Sequence, residues 1–375
     1  MKSNQKIKIC HLTSVHSYRD TRIFLKECYS LASQDYEVYL VTPDAPDNHP
    51  LINHVKIIRG VSSIHKNLLE RVTRTVYQIY QTAYSLDAHI YHFHDPELIP
   101  VGLLLKTQGK KVIYDVHEDL PRQTLGKEYI PRKLRHSIAW ISEKIENYSA
   151  AKFDAIVTAT PYIRERFQKL GCNALDINNY PILAELHTPN INWLNKKPIV
   201  CYIGGIAKIR GIAEMVEAIG QANGKLLLAG RFESSQQQQQ LMVVPGWSNV
   251  QDLGQIGRGE VAESMAASMA GLVLFQPLPN HLNAQPNKMF EYMSAGIPVI
   301  ASNFPLWQDI IEGNHCGLCV DPLNPQAIAQ AIQWIFDHPQ EAEQMGKNGR
   351  KAVEEKYNWE AEAKKLIALY EKLLT

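Results

Sequence analysis

The segment from Pro286 to Ser302, PNKMFEYMSAGIPVIAS, combines the residue types that a ligand site needs. Its pattern predicts a polar loop, then a short helix that ends at Gly296, then a buried strand over residues 298–301. Glu291 would lie in the first turns of that helix, where its carboxylate could accept hydrogen bonds from the hydroxyls of a sugar. Loop, helix and strand in this order predict a site at the mouth of a parallel sheet.

The start of the same helix is suited to an anion. The backbone amides of Asn287, Lys288 and Met289 would be free there, because the first amides of a helix have no partner within it. These amides and the positive end of the helix dipole favour a negatively charged group.

A second ligand-binding pattern, YIGGIAKIRGI, spans Tyr202 to Ile212. A predicted strand leads directly into Gly204 and Gly205, which would let a phosphate approach the backbone closely. Lys208 and Arg210 follow, and their charges would neutralise that phosphate. The glycine spacing matches neither the dinucleotide-binding fingerprint nor the P-loop, so those sites are disfavoured. A plain tight turn is the alternative.

Histidines are concentrated in the first half of the chain, where ten of the fourteen precede residue 180. Strand alternation puts His92 and His94 on one face of the chain, next to Asp95. The following predicted strand delivers Asp115 and His117. Three interpretations are open: a metal site, a set of hydrogen-bonded structural histidines, or a polar substrate-binding rim at the strand ends.

Apolar strands alternate with amphipathic helices along both halves of the chain, which predicts an α/β fold with covered parallel sheets. The predicted strands cover residues 7–12, 37–41, 55–58, 88–93, 111–115 and 155–159, then 199–202, 225–229, 271–275, 298–301 and 317–320. Residues 180–198 contain three prolines and little periodicity, so they are the predicted linker. We therefore expect two doubly wound domains that face each other across a cleft.

Composition narrows the class of protein. The chain has 375 residues, 45% of them hydrophobic, and a net charge of +1, so it can form two cores and nucleic acid is not expected as its main partner. No apolar run approaches the ~20 residues of a membrane-spanning helix, and the N-terminus lacks the apolar region of a signal peptide, so we expect a cytoplasmic protein. The six cysteines predict reduced thiols. Cys316 and Cys319 are expected to be structural, because no second pair stands at zinc spacing.

Two predicted helices in the first half, over residues 66–86 and 128–145, carry basic and aromatic side chains together. These side chains are Arg71, Arg74, Arg132, Lys133, Arg135, Tyr77, Tyr80, Tyr84 and Trp140. Such helices could make a peripheral contact with the anionic inner face of a membrane. The alternative is an ordinary amphipathic helix with one core face and one solvated face.

Taken together, these patterns resemble the family 4 retaining glycosyltransferases, which have the two-domain GT-B fold and transfer a sugar from a nucleotide diphosphate donor. In the second half, the resemblance is carried by YIGGIAKIRGI, NVQDLGQIGRGEVAESMAASMAGLVLF, PNKMFEYMSAGIPVIAS and YNWEAEAKKLIALYEKLL. In the first half, HSYRDTRIFLKECYSLA, HFHDPELIPVGLLLK and YDVHEDLPRQ resemble a branch that assembles capsule, exopolysaccharide and lipopolysaccharide. The resemblance implies an acceptor-binding domain over residues 1–180, a nucleotide-sugar-binding domain over 198–356 and a helix over 357–375 that returns to the first domain.

The resemblance also implies roles for individual residues. The expected catalytic residues are Glu291 on the donor ribose, Lys208 and Arg210 on the diphosphate, and His117 near the transferred sugar. The expected donor-binding residues are Gly204, Gly205, Arg231, Leu253, Gly254, Asn283, Asn287, Lys288 and Met289. The expected acceptor-side residues are Ser14, His16, Asp20, Arg22 and His94. A helix cap is the alternative role of Asp20.

Two positions depart from the family pattern. Most members have arginine at the position of Gly205 and a first glutamate at the position of Asn283. The missing arginine weakens the neutralisation of the pyrophosphate unless Lys208 compensates. Asn283 can bind a hydroxyl but carries no charge.

The expected reaction breaks the anomeric C–O bond and leaves negative charge on a UDP-type or GDP-type diphosphate, which the enzyme must stabilise. Lys208, Arg210 and the amides after Gly204 would do this without a metal ion or any other cofactor. The resemblance implies a glycan or lipid-linked acceptor, and retention of the anomeric configuration by front-face attack on the sugar. Two other functions are open: a sugar-nucleotide epimerase and a non-catalytic nucleotide-sugar-binding subunit.

Overall fold

The chain forms two compact units in this computed structural model, which describes residues 6–61, 71–127, 130–188 and 193–375. Unit 1 comprises Met1–Asn179 and Glu362–Thr375, and unit 2 comprises Tyr180–Ala361. Three of the predicted segments fall partly outside the described residues, at positions 66–70, 128–129 and 189–192.

Unit 1 is built on one mainly parallel sheet. Its strands are β1 Lys8–Leu12, β2 Glu37–Thr42, β3 Leu51–Ile52, β4 Val55–Arg59, β5 Ile90–Phe93, β6 Lys111–Val116, β7 Ala155–Thr158 and β8 Ala174–Asp176. Among the described residues they lie in the spatial order β3-β4-β2-β1-β5-β6-β7-β8, and only the pair of β3 with β4 is antiparallel. The register of β1 on β5 places His11 beside His92. Polar side chains therefore meet within the sheet, at the point where strand residues are otherwise apolar and buried.

The helices of unit 1 follow the strands in alternation. They are α1 Tyr29–Ala32 with the preceding π-helix Thr21–Cys28, α2 Val76–Leu86 with the preceding π-helix Arg71–Thr75, α3 Ile99–Thr107, α4 Leu120–Gly126, α5 Arg132–Ala150 and α6 Pro161–Gln168. The π-helix Thr21–Cys28 is capped at its N-terminus by Asp20. The Oδ1 atom of Asp20 accepts hydrogen bonds of 2.9 Å from the amides of Arg22 and Ile23. Asp20 is therefore a helix cap, as the alternative interpretation predicts.

Unit 2 has a fully parallel sheet. Its strands are β9 Ile199–Ile203, β10 Lys225–Ala229, β11 Val250–Gly254, β12 Ala270–Val273, β13 Val299–Ser302 and β14 Gly317–Val320. Among the described residues the order is β11-β10-β9-β12-β13-β14. The helices are α7 Ile212–Gln221, α8 Ser235–Met242, α9 Arg258–Ala267, α10 Asn287–Ala295, α11 Pro305–Ile311, α12 Pro325–Asp337, α13 Pro339–Glu355 and α14 Trp359–Leu374. From Glu362 onward, α14 belongs to unit 1.

The α/β prediction is confirmed, and each predicted strand is present with ends that differ by at most two residues. Strands β3, β8 and β11 are absent from the predicted set. β11 lies at the edge of its sheet and exposes Gln251 and Asp252, so it lacks the apolar run by which buried strands are predicted. All six cysteines are free thiols, as predicted.

Candidate active site

The glycine turn predicted after β9 is present. Gly204 has a φ of 140°, in the region that favours glycine, and its amide donates a hydrogen bond of 2.8 Å to the carbonyl oxygen of Ala229. A Cβ atom at Gly204 would lie 2.9 Å from the amine of Lys288. The backbone conformation and the cation packed against it therefore both favour glycine at this position.

The residues after Gly204 bring two cations to this end of the sheet. Lys208–Arg210 forms a single 3₁₀ turn, and the left-handed Gly211, with a φ of 71°, leads into α7. Lys208 is exposed. The guanidinium carbon of Arg210 lies 4.2 Å from the centroid of the Phe275 ring, which fixes this side chain by a cation–π contact. Gly205, where the family has arginine, is also exposed.

Lys288 contributes more than the sequence analysis predicted, because its side chain as well as its amide lies at the turn. The Lys288 amine donates a hydrogen bond of 2.9 Å to the hydroxyl of Tyr202 and lies 4.1 Å from the centroid of that ring. Burial, reinforced by the charge of Arg210 and partly opposed by that of Glu291, lowers the pKa of Lys288 well below its ordinary value. A buried cation of this kind gains a counter-charge when an anion binds.

The helix predicted over the Glu291 segment is confirmed as α10. Gly296, with a φ of 76°, ends it in the left-handed conformation expected of a helix stop. The prediction of a free amide at Met289 is wrong, since this amide donates a hydrogen bond of 3.0 Å to the carbonyl of Pro286. The Met289 side chain is fully buried, whereas Asn287 is exposed at the helix start.

Glu291 is held by an arginine that the sequence analysis missed. Arg258 lies at the start of α9, and its Nη1 donates a hydrogen bond of 2.9 Å to Glu291 Oε1. It also donates two hydrogen bonds, of 2.6 and 2.7 Å, to the carboxylate of Glu185. Burial alone would lower the pKa of Arg258, but the two glutamates raise it. Because Arg258 stays charged, its hydrogen bond to Glu291 is charge-assisted and fixes the orientation of that carboxylate.

The other expected donor-binding residues lie on neighbouring loops of unit 2. Leu253 and Gly254 end β11 and are half-buried, and the Gly254 carbonyl accepts a hydrogen bond of 2.7 Å from the amide of Gly230. Arg231 follows β10 with an exposed side chain, and its carbonyl accepts a hydrogen bond of 2.9 Å from the amide of Ile206. Asn283 is half-buried in the loop before α10.

The expected acceptor-side residues of unit 1 include one connected polar group. The Ser14 amide donates a hydrogen bond of 2.7 Å to Asp95 Oδ2. The His16 ring lies between two carboxylates, 3.3 Å from Asp20 and 3.5 Å from Asp95. Burial would lower the pKa of His16, but these carboxylates raise it, and the pKa of Asp20 is lowered in turn by His16 and the Ile23 amide against the effect of burial.

Arg22, an expected acceptor-side residue, is buried. Its guanidinium is buried and donates hydrogen bonds to both oxygens of Asp115, at 3.1 and 2.9 Å, and to the carbonyl of Ile177 at 2.8 Å. Burial alone would raise the pKa of Asp115, but Arg22 and His117 hold it well below its usual range. Arg22 is a structural ion-pair partner within the core of unit 1.

His94, another expected acceptor-side residue, is also buried. Its Nδ1 lies 3.1 Å from Asp115 Oδ2 and 3.2 Å from His117 Nε2, and its Nε2 lies 3.0 Å from His11 Nδ1. Burial lowers the pKa of His94 to about 4, with a further contribution from His117 against the opposing carboxylate. His92 and His94 share one face as predicted, with ring centroids 4.8 Å apart.

His117 is the partly exposed member of this histidine group. Its side chain is 18% exposed, its Nε2 lies 2.9 Å from Asp115 Oδ2, and its ring centroid is 5.2 Å from that of His16. His16 and His117 therefore form a partly exposed rim beside a buried histidine network.

Solved structures with the same two-domain architecture have the GT-B fold. Sucrose-phosphate synthase from Thermosynechococcus elongatus has a TM-score of 0.81 at 22% identity, covering 98% of this chain and 99% of that one. Anabaena HepE, solved in complex with UDP, has a TM-score of 0.72 at 14% identity over 98% and 100% of the two chains. These likenesses show the GT-B fold.

Sequence comparison shows the family. Residues 185–352 match the model described as glycosyl transferases group 1, and residues 24–178 match the model described as glycosyltransferase family 4. The D-rhamnosyltransferase WbpZ of Pseudomonas aeruginosa is 26% identical over 72% of this chain and 70% of its own length. The chain belongs to the family 4 glycosyltransferases.

Proposed function

We propose that this glycosyltransferase transfers a sugar from a UDP-type or GDP-type nucleotide sugar to a glycan or lipid-linked acceptor of a cell-surface polysaccharide. Transfer proceeds with retention of the anomeric configuration and without a metal ion at the diphosphate. Unit 2 binds the donor, and unit 1 binds the acceptor at the rim of His16 and His117. The UDP complex of HepE and the resemblance of the first-half segments to polysaccharide-assembling enzymes support these assignments.

The observation that carries the proposal is the meeting of a glycine turn, cations and a fixed carboxylate at one end of the unit 2 sheet. Gly204 exposes backbone beside the amine of Lys288, and Arg210 influences the same amine electrostatically. Glu291, held by Arg258, supplies the acceptor of ribose hydroxyls. A nucleoside diphosphate presents both groups, a phosphate pair and a ribose, at a spacing that one strand-end site can bind.

The same cations account for leaving-group stabilisation. As the anomeric C–O bond breaks, charge develops on the diphosphate, and preorganised cations stabilise that charge most effectively where water is excluded. Lys288 is such a cation, because it is buried before the donor arrives. Arg210 and Lys208 add charge at the rim, which offsets the absence of arginine at Gly205.

We expect Glu291→Gln to lower kcat/KM by at least about tenfold, or about 1.4 kcal/mol of transition-state binding, because a neutral amide accepts weaker hydrogen bonds from the ribose. The assay measures nucleotide released from UDP-glucose and GDP-mannose with a panel of lipid-linked and glycan acceptors, and proton NMR gives the configuration of the product. Thermal shift with UDP and GDP measures binding.

Glu217→Gln, a matched change at an exposed position of α7, should leave all three measurements unchanged. Stabilisation by neither nucleotide would contradict a nucleotide-sugar donor. An epimerised nucleotide sugar without released nucleotide would show the epimerase function, and a product of inverted configuration would contradict retention.

We further propose that helix α5 contacts the anionic inner face of a membrane. Five of its large side chains are at least half exposed: Leu134, Trp140, Ile141, Ile145 and Tyr148. Lys144 lies 5.8 Å above the Trp140 ring, so basic and aromatic groups share this surface. No described helix of the chain is both long and apolar enough to span a bilayer. A helix that lies in the interface fits these side chains better.

The double variant Trp140→Glu, Ile141→Glu should reduce binding to vesicles at least about tenfold, because it replaces apolar contact area with charges that an anionic surface repels. Flotation with phosphatidylcholine vesicles, with and without phosphatidylglycerol, measures the bound fraction. Tyr29→Glu changes an exposed aromatic residue elsewhere in unit 1 and is the control. Equal binding of all three proteins to anionic vesicles would contradict a contact through α5.

A further inference from the structure

We propose that unit 1 holds a buried divalent transition-metal ion of the zinc class, apart from the donor site. Its ligand atoms are Nδ1 of His11, Nδ1 of His92, Nε2 of His94 and Oε2 of Glu27. All four side chains are at least 97% buried. Three imidazoles and one carboxylate form a set of ligands that suits Zn²⁺ and neighbouring first-row metals.

The fold brings these ligands together from three elements distant in sequence. His11 lies in β1 and pairs in register with His92 of β5. His94 follows two residues later on the same face, where its amide continues the ladder with a hydrogen bond of 3.1 Å to the carbonyl of Leu12. Glu27 comes from the π-helix Thr21–Cys28 that packs over this end of the sheet.

The distances fit a four-coordinate ion. Glu27 Oε2 lies 3.9 Å from each of the three imidazole nitrogens, His11 Nδ1, His92 Nδ1 and His94 Nε2. His11 Nδ1 and His94 Nε2 are 3.0 Å apart, and all the ligand atoms lie within 4.8 Å of one another. Bonds of about 2.0–2.1 Å in a tetrahedral site place ligand atoms about 3.3 Å apart, so small shifts would close this group on an ion.

The surroundings of the Glu27 carboxylate give a second, electrostatic reason to expect a cation. Among the described residues, no group donates a hydrogen bond to either of its carboxylate oxygens, although the side chain is fully buried. Arg22 Nε forms an ion pair of 3.1 Å with Glu27 Oε1, but the same guanidinium pairs with Asp115, so one positive charge is shared by two buried carboxylates. A buried carboxylate of this kind costs several kcal/mol of folding free energy unless a cation compensates it. A divalent ion at Oε2 supplies that charge.

The outer contacts of His94 and His11 support the same assignment, whereas His92 Nε2 has no hydrogen-bond partner among the described residues. With Nε2 of His94 on the ion, its Nδ1 faces Asp115 Oδ2 at 3.1 Å, which is the carboxylate–histidine–metal arrangement. With Nδ1 of His11 on the ion, its Nε2 faces the Tyr370 hydroxyl at 3.3 Å. The hydrogen bond of 2.8 Å between His92 Nδ1 and Tyr370 would be exchanged for a coordinate bond.

A second group of close ligand atoms, on His94, Asp115 and His117, is the weaker candidate. It shares His94 with the first group and offers three ligands rather than four. The ion proposed here is structural, because its ligands are buried, so it is compatible with a transfer reaction that needs no metal at the diphosphate. It corresponds to the metal-site interpretation that the sequence leaves open for His92 and His94, with His11 and Glu27 as further ligands.

The test is the metal content of the full chain, purified without a histidine tag and dialysed against metal-free buffer. Plasma mass spectrometry should find about one equivalent of a first-row metal per chain in the wild type, and at least about tenfold less in Glu27→Gln and His92→Gln. After removal of the metal, added Co²⁺ should give the absorption bands of a four-coordinate site in the wild type alone. Zn²⁺ added without any other ligand should raise the melting temperature of the metal-free wild type.

His136→Gln, at an exposed position of α5, makes the same exchange in unit 1 and should keep the metal. The competing arrangement is a protonated Glu27 that shares its proton with Asp115. In that case glutamine at position 27 would preserve the hydrogen bond, and neither metal content nor melting temperature would separate Glu27→Gln from the wild type. That result, or a wild-type chain without metal that gains no Co²⁺ spectrum, would overturn the proposal.

Discussion

Replacing Lys288 with methionine is expected to lower kcat by about a hundredfold to a thousandfold, or about 3–4 kcal/mol of transition-state stabilisation. Methionine is an unbranched apolar replacement for the aliphatic part of the side chain, but it removes the amine and its charge beside Gly204 and the Tyr202 ring. The loss should exceed that at Arg210, because a buried cation interacts with a developing charge through less solvent. Single-turnover measurements of nucleotide release separate this effect from changes in donor binding.

The Lys288 amine also predicts a pH dependence. Its pKa is lowered in the free protein, mainly by burial, and a bound diphosphate would raise it. At pH values above the lowered pKa, binding therefore takes up a proton, and the affinity for UDP or GDP should fall as the pH rises through that pKa. Calorimetric titration of Lys288→Met should show no such dependence.

Lys225→Met is the matched control, since Lys225 is exposed at the start of β10 in the same unit. It should retain both the wild-type kcat and the pH dependence of binding. If Lys288→Met kept wild-type turnover, the diphosphate would lie elsewhere, and the cation beside Gly204 would be only a packing feature of the turn.

Much of the fold could be predicted, because its signals are local. Period-two burial, a glycine stop such as Gly296 and the glycine turn at Gly204 are each encoded within a few residues, and each is present. β11 was not predicted because an edge strand carries exposed polar residues and therefore lacks the continuous apolar run of a buried strand. The strand that pairs with β11 is determined by the order of strands in the whole sheet, and no short window of sequence contains that order.

The site was predicted less completely because its decisive contacts are long-range. Glu291 was predicted, but its partner Arg258 stands 33 residues away, and only the order of strands brings them together. A signal was available, since Arg258 starts a helix directly after a strand end, where binding residues concentrate. Lys288 was predicted through its amide, because a local pattern gives no information on whether a long side chain turns inward.

For Arg22, too, the local sequence pattern does not show whether the side chain turns inward. The loop after β1 predicted an exposed acceptor contact, whereas the structure buries the guanidinium against Asp115. We therefore expect Arg22→Met to reduce the free energy of unfolding of unit 1 by about 3–5 kcal/mol, because it leaves the buried Asp115 carboxylate without its cation. Denaturant unfolding at pH 7, monitored by hydrogen exchange of the β1 and β6 amides, measures the loss within unit 1.

The pH dependence of stability, together with a control variant, separates a structural role of Arg22 from an acceptor-binding role. Asp115 has a folded pKa held below its ordinary value, so its stabilisation is present above the unfolded pKa of about 4 and is lost as the pH falls through the folded pKa. In Arg22→Met the folded pKa rises, so the stability difference from the wild type should narrow below pH 4. Arg19→Met, at an exposed position of the same loop, should change stability by no more than about 0.5 kcal/mol. Wild-type stability with impaired transfer in Arg22→Met would instead restore the acceptor role, because a residue that binds substrate can be lost without unfolding the sheet beneath it.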